Sequence, residues 1–238
     1  MNAELLKIRF LPTPRNTTLA IATVIIAVCV ITVLVGPDNG SSAWHKAPET
    51  AGNVTVTIGA MVLGAWIIGL EFASSAMRLA ATVQPDRLRL IGTKLVAAKL
   101  LIVGFALTTL GVTFGAAALM SSIGSSKFAA LGTLQTYAGF FVVAVLWGLL
   151  AFGFALLLQS YTGGVVAVLV LALALDSALQ MIPTVGIYTF GSATAAIAAA
   201  INGDPTDLEL WKAILTVCGW LLVVNGLATA RFTTRDLK

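Results

Sequence analysis

The sequence predicts an all-α integral membrane protein with six transmembrane helices and both termini on the cytoplasmic side. Three observations lead there. Of the 238 residues, 58% are hydrophobic and 10% charged, where a soluble domain carries roughly 25% charged residues. Mean hydropathy is +0.98. Apolar runs long enough to cross a bilayer, which takes about 20 helical residues, recur along the chain. Six such spans use about half of it, so residues 1–238 read as one transmembrane domain with no room for a separate soluble one.

Taken in order, residues 2–11 place Leu5, Leu6, Ile8 and Phe10 among Glu4, Lys7 and Arg9 ahead of Pro12 and Pro14. This pattern predicts a short interfacial helix, halted by proline, resting on the inner leaflet lipid. The first span is 18–35. A cleaved signal peptide is the rival reading of this stretch, but the run is longer than a usual signal core, so it reads as a retained span. The remaining spans are 54–70, 95–120, 136–158, 164–182 and 211–230.

Between them, 36–53 reads as a polar loop and 121–135 as a Ser/Gly-rich one. Residues 71–94 form the largest cytoplasmic connection. The segment 183–210 is longer still but not plain loop. Ser192 to Ile201 is small, apolar and too short to cross, so it predicts a re-entrant or interfacial helix. Thr206-Asp207-Leu208-Glu209 then reads as a capping box starting the last helix.

Lysine and arginine in short loops resist translocation. With the termini inside, Lys7, Arg9, Arg15, Arg78, Arg87, Arg89, Lys94, Lys99, Arg231, Arg235 and Lys238 are cytoplasmic, against Lys46, Lys127 and Lys212 outside. The net charge of +4 is thus accounted for by topology and implies no nucleic-acid partner. A multi-pass protein of the plasma membrane, of prokaryotic inner-membrane type, is the expectation.

Chemical signatures are few. The chain has no phosphate-binding G-x-x-x-x-G-K-[ST], no H-E-x-x-H and no cysteine pair at metal spacing, so no catalytic residue, metal or cofactor is assigned to it. Cys29 and Cys218 read as buried small side chains, and His45, the single histidine, as a loop residue. Glycine seams at Gly59, Gly64 and Gly69, and at Gly111-x-x-x-Gly115, read as helix-packing positions. Asn225 reads as an interhelical hydrogen bonder. Asp176 stands apart, because an acid inside a span is costly unless it meets a partner or water. With Gln180 four residues on, it reads either as part of a substrate path or proton relay, or as an anchor hydrogen-bonded to the 183–210 segment.

The chain as a whole then becomes recognisable. E-L-L-K-I-R at 4–9, G-L-E-F at 69–72 and A-T-V-Q-P-D-R-L-R-L-I-G-T-K at 81–94 resemble the permease subunits of ATP-binding-cassette transporters of the type-2, exporter-like family. Ala73-Ser74-Ser75 departs from the basic residue and glycine common there. The resemblance implies that Glu71, Phe72, Arg78, Pro85, Arg87, Arg89 and Lys94 belong to a coupling helix docked on a separate ATPase pair. ATP and magnesium would bind on that partner, so this chain is not an enzyme by itself. It further implies a second permease subunit, identical or paralogous, a path lined by the second and fifth spans with Asp176 and Gln180 near its outer part, and export of a drug, lipid or peptide. The alternatives from other classes are a proton-coupled secondary transporter using Asp176 and a membrane scaffold that moves nothing.

Overall fold

The computed structural model describes residues 12–35, 42–73, 87–123, 130–206 and 208–234. The predicted interfacial helix at 2–11, together with Arg78, Pro85 and Asp207, lies outside them. Every regular element described is helical: α1 Pro12–Val35, α2 Ser42–Ala73, α3 Arg87–Ile123, α4 Ala130–Leu158, α5 Tyr161–Gln180, the single turn α6 Pro183–Gly186, α7 Phe190–Asn202 and α8 Leu210–Thr234. Among the described residues, five helices are long and apolar enough to cross a membrane: α2 from Asn53, α3 from Leu88, α4 from Leu134, α5 and α8. This is a multi-pass, all-α membrane protein. The stretch expected as the first span falls within α1, whose described apolar part is Arg15–Val28.

Several boundaries differ from the sequence expectation. Residues 42–53, read as polar loop, continue α2 toward its N-terminus, so His45 is helical. Polarity alone had suggested a loop, but Ala43, Lys46, Ala47, Glu49 and Ala51 are good helix formers. Arg87 to Lys94, read as connection, are the first two turns of α3. The last helix starts at Leu210 rather than inside a 206–209 capping box: the Glu209 carbonyl accepts from Ala213 N–H at 3.0 Å, which makes Glu209 itself the N-cap. Its carboxylate meets the Trp211 indole N–H and the Lys212 ammonium instead of reaching back to Thr206.

The bundle is organised around α2, which packs against α1, α3, α4 and α5. Close approach depends on small residues, because helices in lipid gain little from hydrophobic exclusion and rely on contact between backbones. A Cβ on Gly64 would strike the Gly148 carbonyl of α4, and one on Gly69 the Tyr161 backbone of α5. The Gly111 and Gly115 positions of α3 have no described atom within 4 Å of such a Cβ, so of the two seams it is the α2 one that packs among the described residues. Two buried hydroxyls of α3 are satisfied locally. Thr109 donates to the Phe105 carbonyl at 2.9 Å and Thr113 to the Thr109 carbonyl at 2.7 Å, so neither needs water in the apolar interior.

The connection from α4 to α5 is tight. Gln159 takes φ 54°, and the Ser160 hydroxyl caps α5 by accepting from Gly163 N–H at 3.2 Å. One end of the bundle therefore gathers the C-terminus of α2, the N-termini of α3 and α5 and the C-terminus of α8. The opposite end gathers the C-terminus of α5 with α6 and α7.

Candidate functional site

At the first end, the residues read for docking divide into two groups. Glu71, in the last turn of α2, and Lys94, two turns into α3, turn inward. They form an ion pair with Nζ to Oε1 at 2.5 Å. Lys94 is 2% exposed and Glu71 7%. Taking two charges this far from water is costly, and each offsets part of that cost for the other. Phe72, the next residue, is half-buried and meets Phe232 of α8 edge to face with centroids 6.2 Å apart. Phe232 is fully buried. One pair ties α2 to α3 and the other ties α2 to α8, so three helix ends form one knot.

The second group looks elsewhere. Arg89 is exposed on the first turn of α3, on the opposite side of that helix from the buried Leu90, Ile91 and Lys94. Arg87 begins α3, its side chain outside the described residues, as are Arg78 and Pro85.

At the opposite end, Asp176 is 5% exposed. Its Oδ1 accepts from Gly191 N–H at 3.1 Å and its Oδ2 from Gln180 Nε2 at 3.2 Å. Gly191 is the second residue of α7, where backbone N–H groups have no helical partner and the helix dipole favours a negative charge. Thr189 satisfies another of these donors, its hydroxyl accepting from Ser192 N–H at 3.2 Å. A Cβ on residue 191 would collide with the carboxylate, so glycine is what admits the acid. The geometry is that of an anchor on the 183–210 segment, one of the two roles the sequence left open for Asp176.

Around it, Phe190 is fully buried against Trp147 of α4, ring centroids 4.7 Å apart and near perpendicular. The Trp220 indole N–H of α8 donates to the Tyr188 carbonyl at 3.3 Å. Gly203 closes α7 at φ 80°, the left-handed conformation that glycine adopts without strain. Beside the anchor, Gln180, Gly191, Ser192, Ala195, Ala199 and Thr206 line a cavity of about 620 Å³.

What sequence reasoning missed is the inward turn of Glu71, Phe72 and Lys94. The 23-residue separation of the ion pair carries no periodic signal, although an acid ending one span and a lysine near the start of the next is the pattern that would have suggested it. Asn225 also differs from expectation: its Nδ2 donates to Leu221 of its own helix at 3.0 Å, not across to another. Cys218 is exposed on α8 rather than buried. Among the described residues no cluster of His, Cys, Asp and Glu is able to hold a metal ion.

No protein-family model matches the chain, and no curated protein matches it.

Proposed function

We propose that this chain is the permease subunit of an ATP-binding-cassette transporter, a six-span, N-in and C-in membrane component driven by separate ATPase subunits. The single observation that carries the reading is the knot at the first end of the bundle. The Glu71 and Lys94 ion pair and the Phe72 and Phe232 contact lock the ends of α2, α3 and α8 into one unit. A push delivered to the connection between α2 and α3 then tilts several spans together instead of bending a loop, because packed interfaces move between discrete arrangements and do not deform smoothly.

In this reading Arg78, Pro85, Arg87 and Arg89 make the contact with the ATPase, while Glu71, Phe72 and Lys94 act behind them and transmit the displacement. The ATPase pair binds ATP and magnesium, a second permease copy or paralogue completes the membrane part, and the exported substrate is a hydrophobic or amphipathic drug, lipid or peptide. Asp176 and Gln180 serve this cycle by holding α7. A proton-carrier role is disfavoured, since the Asp176 carboxylate is already occupied by Gly191 and Gln180.

Affinity purification of the tagged full chain from its own host tests this. The expected result is a stoichiometric ATPase. Arg87→Glu with Arg89→Glu lowers its recovery at least about tenfold, as expected when charges at a docking face are reversed. Phe72→Ala leaves the ATPase bound but makes its hydrolysis rate independent of the permease. Clean purification with no ATPase overturns the proposal.

A further inference from the structure

Helix α5 changes register midway along its length. Its buried residues are Gly164, Val168, Leu171 and Asp176, in steps of four, three and five. One face of a regular α-helix recurs in steps of three or four, so the position after Leu171 should be Leu175. Yet Leu175 is 45% exposed and Asp176 is buried. The extra residue is absorbed by a π turn over Leu171–Leu175, in which Asp176 N–H donates to the Leu171 carbonyl. Such turns are rare and concentrate at functional positions. One additional residue delays the remainder of α5 by one helical step, about 100° around the axis and about 1.5 Å along it. The consequence is chemical: an acid, not a leucine, meets the first N–H groups of α7.

We propose that α5 is a two-register element whose π turn acts as a release catch for α7. In the observed register the Asp176 carboxylate receives Gly191 N–H and Gln180 Nε2. If the π turn relaxes to a regular α-helix, Leu175 rotates to Gly191 and Asp176 rotates out. Leucine has no acceptor to offer, so the Gly191 donor loses its partner, and α7 loses this tie to α5 while keeping the Thr189 cap and its packing on α4 and α8. The cavity lined by Gln180, Gly191 and Ser192 lies directly beside the catch, so release moves its wall. This inference concerns the fold alone and stands apart from the permease reading.

The test uses the full chain in lipid nanodiscs, with Cys29→Ala and Cys218→Ala as background and Ala193→Cys as reporter. Ala193 is fully buried on α7, and its modification by a membrane-impermeant maleimide measures release. Asp176→Leu removes the reason for the π turn. Cryo-electron microscopy should then show α5 as regular helix with Leu175 at Gly191, and the modification rate should rise about tenfold, as for a reporter whose opening equilibrium shifts by that factor. Asp176→Asn keeps an acceptor oxygen and should keep both the π turn and the slow rate. Deletion of Ala174 removes the extra residue outright. It should give a regular α5 with Asp176 still on Gly191 and a rate within about twofold of the parent. A π turn that persists in Asp176→Leu, or an unchanged rate there, overturns the proposal. The deletion tests it separately where Asp176→Leu does not accumulate: Asp176 turned away from Gly191 in that chain overturns it as well.

Discussion

Replacing Lys94 by Met takes a buried counter-ion from Glu71 at the first end of the bundle. With Lys94 2% and Glu71 7% exposed and their charged atoms 2.5 Å apart, solvent screens the pair little. Loss of one partner should therefore cost about 3–5 kcal/mol, far above the 0–1 kcal/mol of a surface pair. Glu71→Leu should cost about the same, because it takes a counter-ion from the buried ammonium. The double variant Glu71→Leu/Lys94→Met removes both charges at similar volume and should lie within about 1 kcal/mol of the parent or above it. The two losses are thus expected to be non-additive by roughly 3 kcal/mol or more. Equilibrium unfolding in mixed detergent and SDS micelles, followed by tryptophan fluorescence, measures all four chains. Single variants that each cost less than about 1 kcal/mol, with additive effects in the double, would refute the buried, mutually dependent pair.

Other expectations rest on the same packing. Gly64→Ala, whose Cβ lands on the Gly148 carbonyl, should destabilise by about 1–3 kcal/mol or more through overpacking, whereas Gly111→Ala, with open space around it, should stay within about 0.5 kcal/mol; paired unfolding curves decide both. Phe190→Ala empties a fully buried ring site against Trp147 and should cost about 3–5 kcal/mol in the same assay. Thr189→Ala removes the α7 cap at about 1 kcal/mol and should raise amide exchange over Phe190 to Thr194. At the start of α8, the Trp211 indole N–H, then Lys212, holds the exposed Glu209 carboxyl below its ordinary 4.5. A depressed folded value means the contact is fully formed above the ordinary value and is lost as pH falls through the folded one. The Trp211 component of the fluorescence should therefore change only on acidification below about 4.5, and Glu209→Gln should flatten that profile.

The helices were legible because apolar length alone announces a membrane span, and because Pro183, Gly203 and Pro205 bracket the short α7. Element ends were less so. Residues 42–53 are polar and helical at once, and nothing local separates those states where helix formers dominate. The two glycine seams look alike as sequence, yet the Gly64 seam is buried against α4 and the Gly111 seam meets no described atom, since periodicity shows which residues share a face and not what lies opposite. Asp176 was visible as an anomaly, and its anchoring role was among the readings it allowed. Its register was not, because a π turn has no composition signature in a run such as Leu171 to Leu175. The family resemblance marks Glu71 and Lys94 as coupling residues, but a charge beside a membrane looks the same whether it faces a partner or another helix.

The central claim is that this chain is the membrane part of a machine powered by other subunits. Native mass spectrometry of the intact complex, extracted in mild detergent from its own host, tests it most directly. The account predicts an assembly of two permease subunits, each 24.6 kDa where the partner is a second copy of this chain, with two ATPase subunits released together on activation. A spectrum showing only this chain, alone or self-associated, with no ATPase at any detergent concentration that preserves the fold, would contradict it.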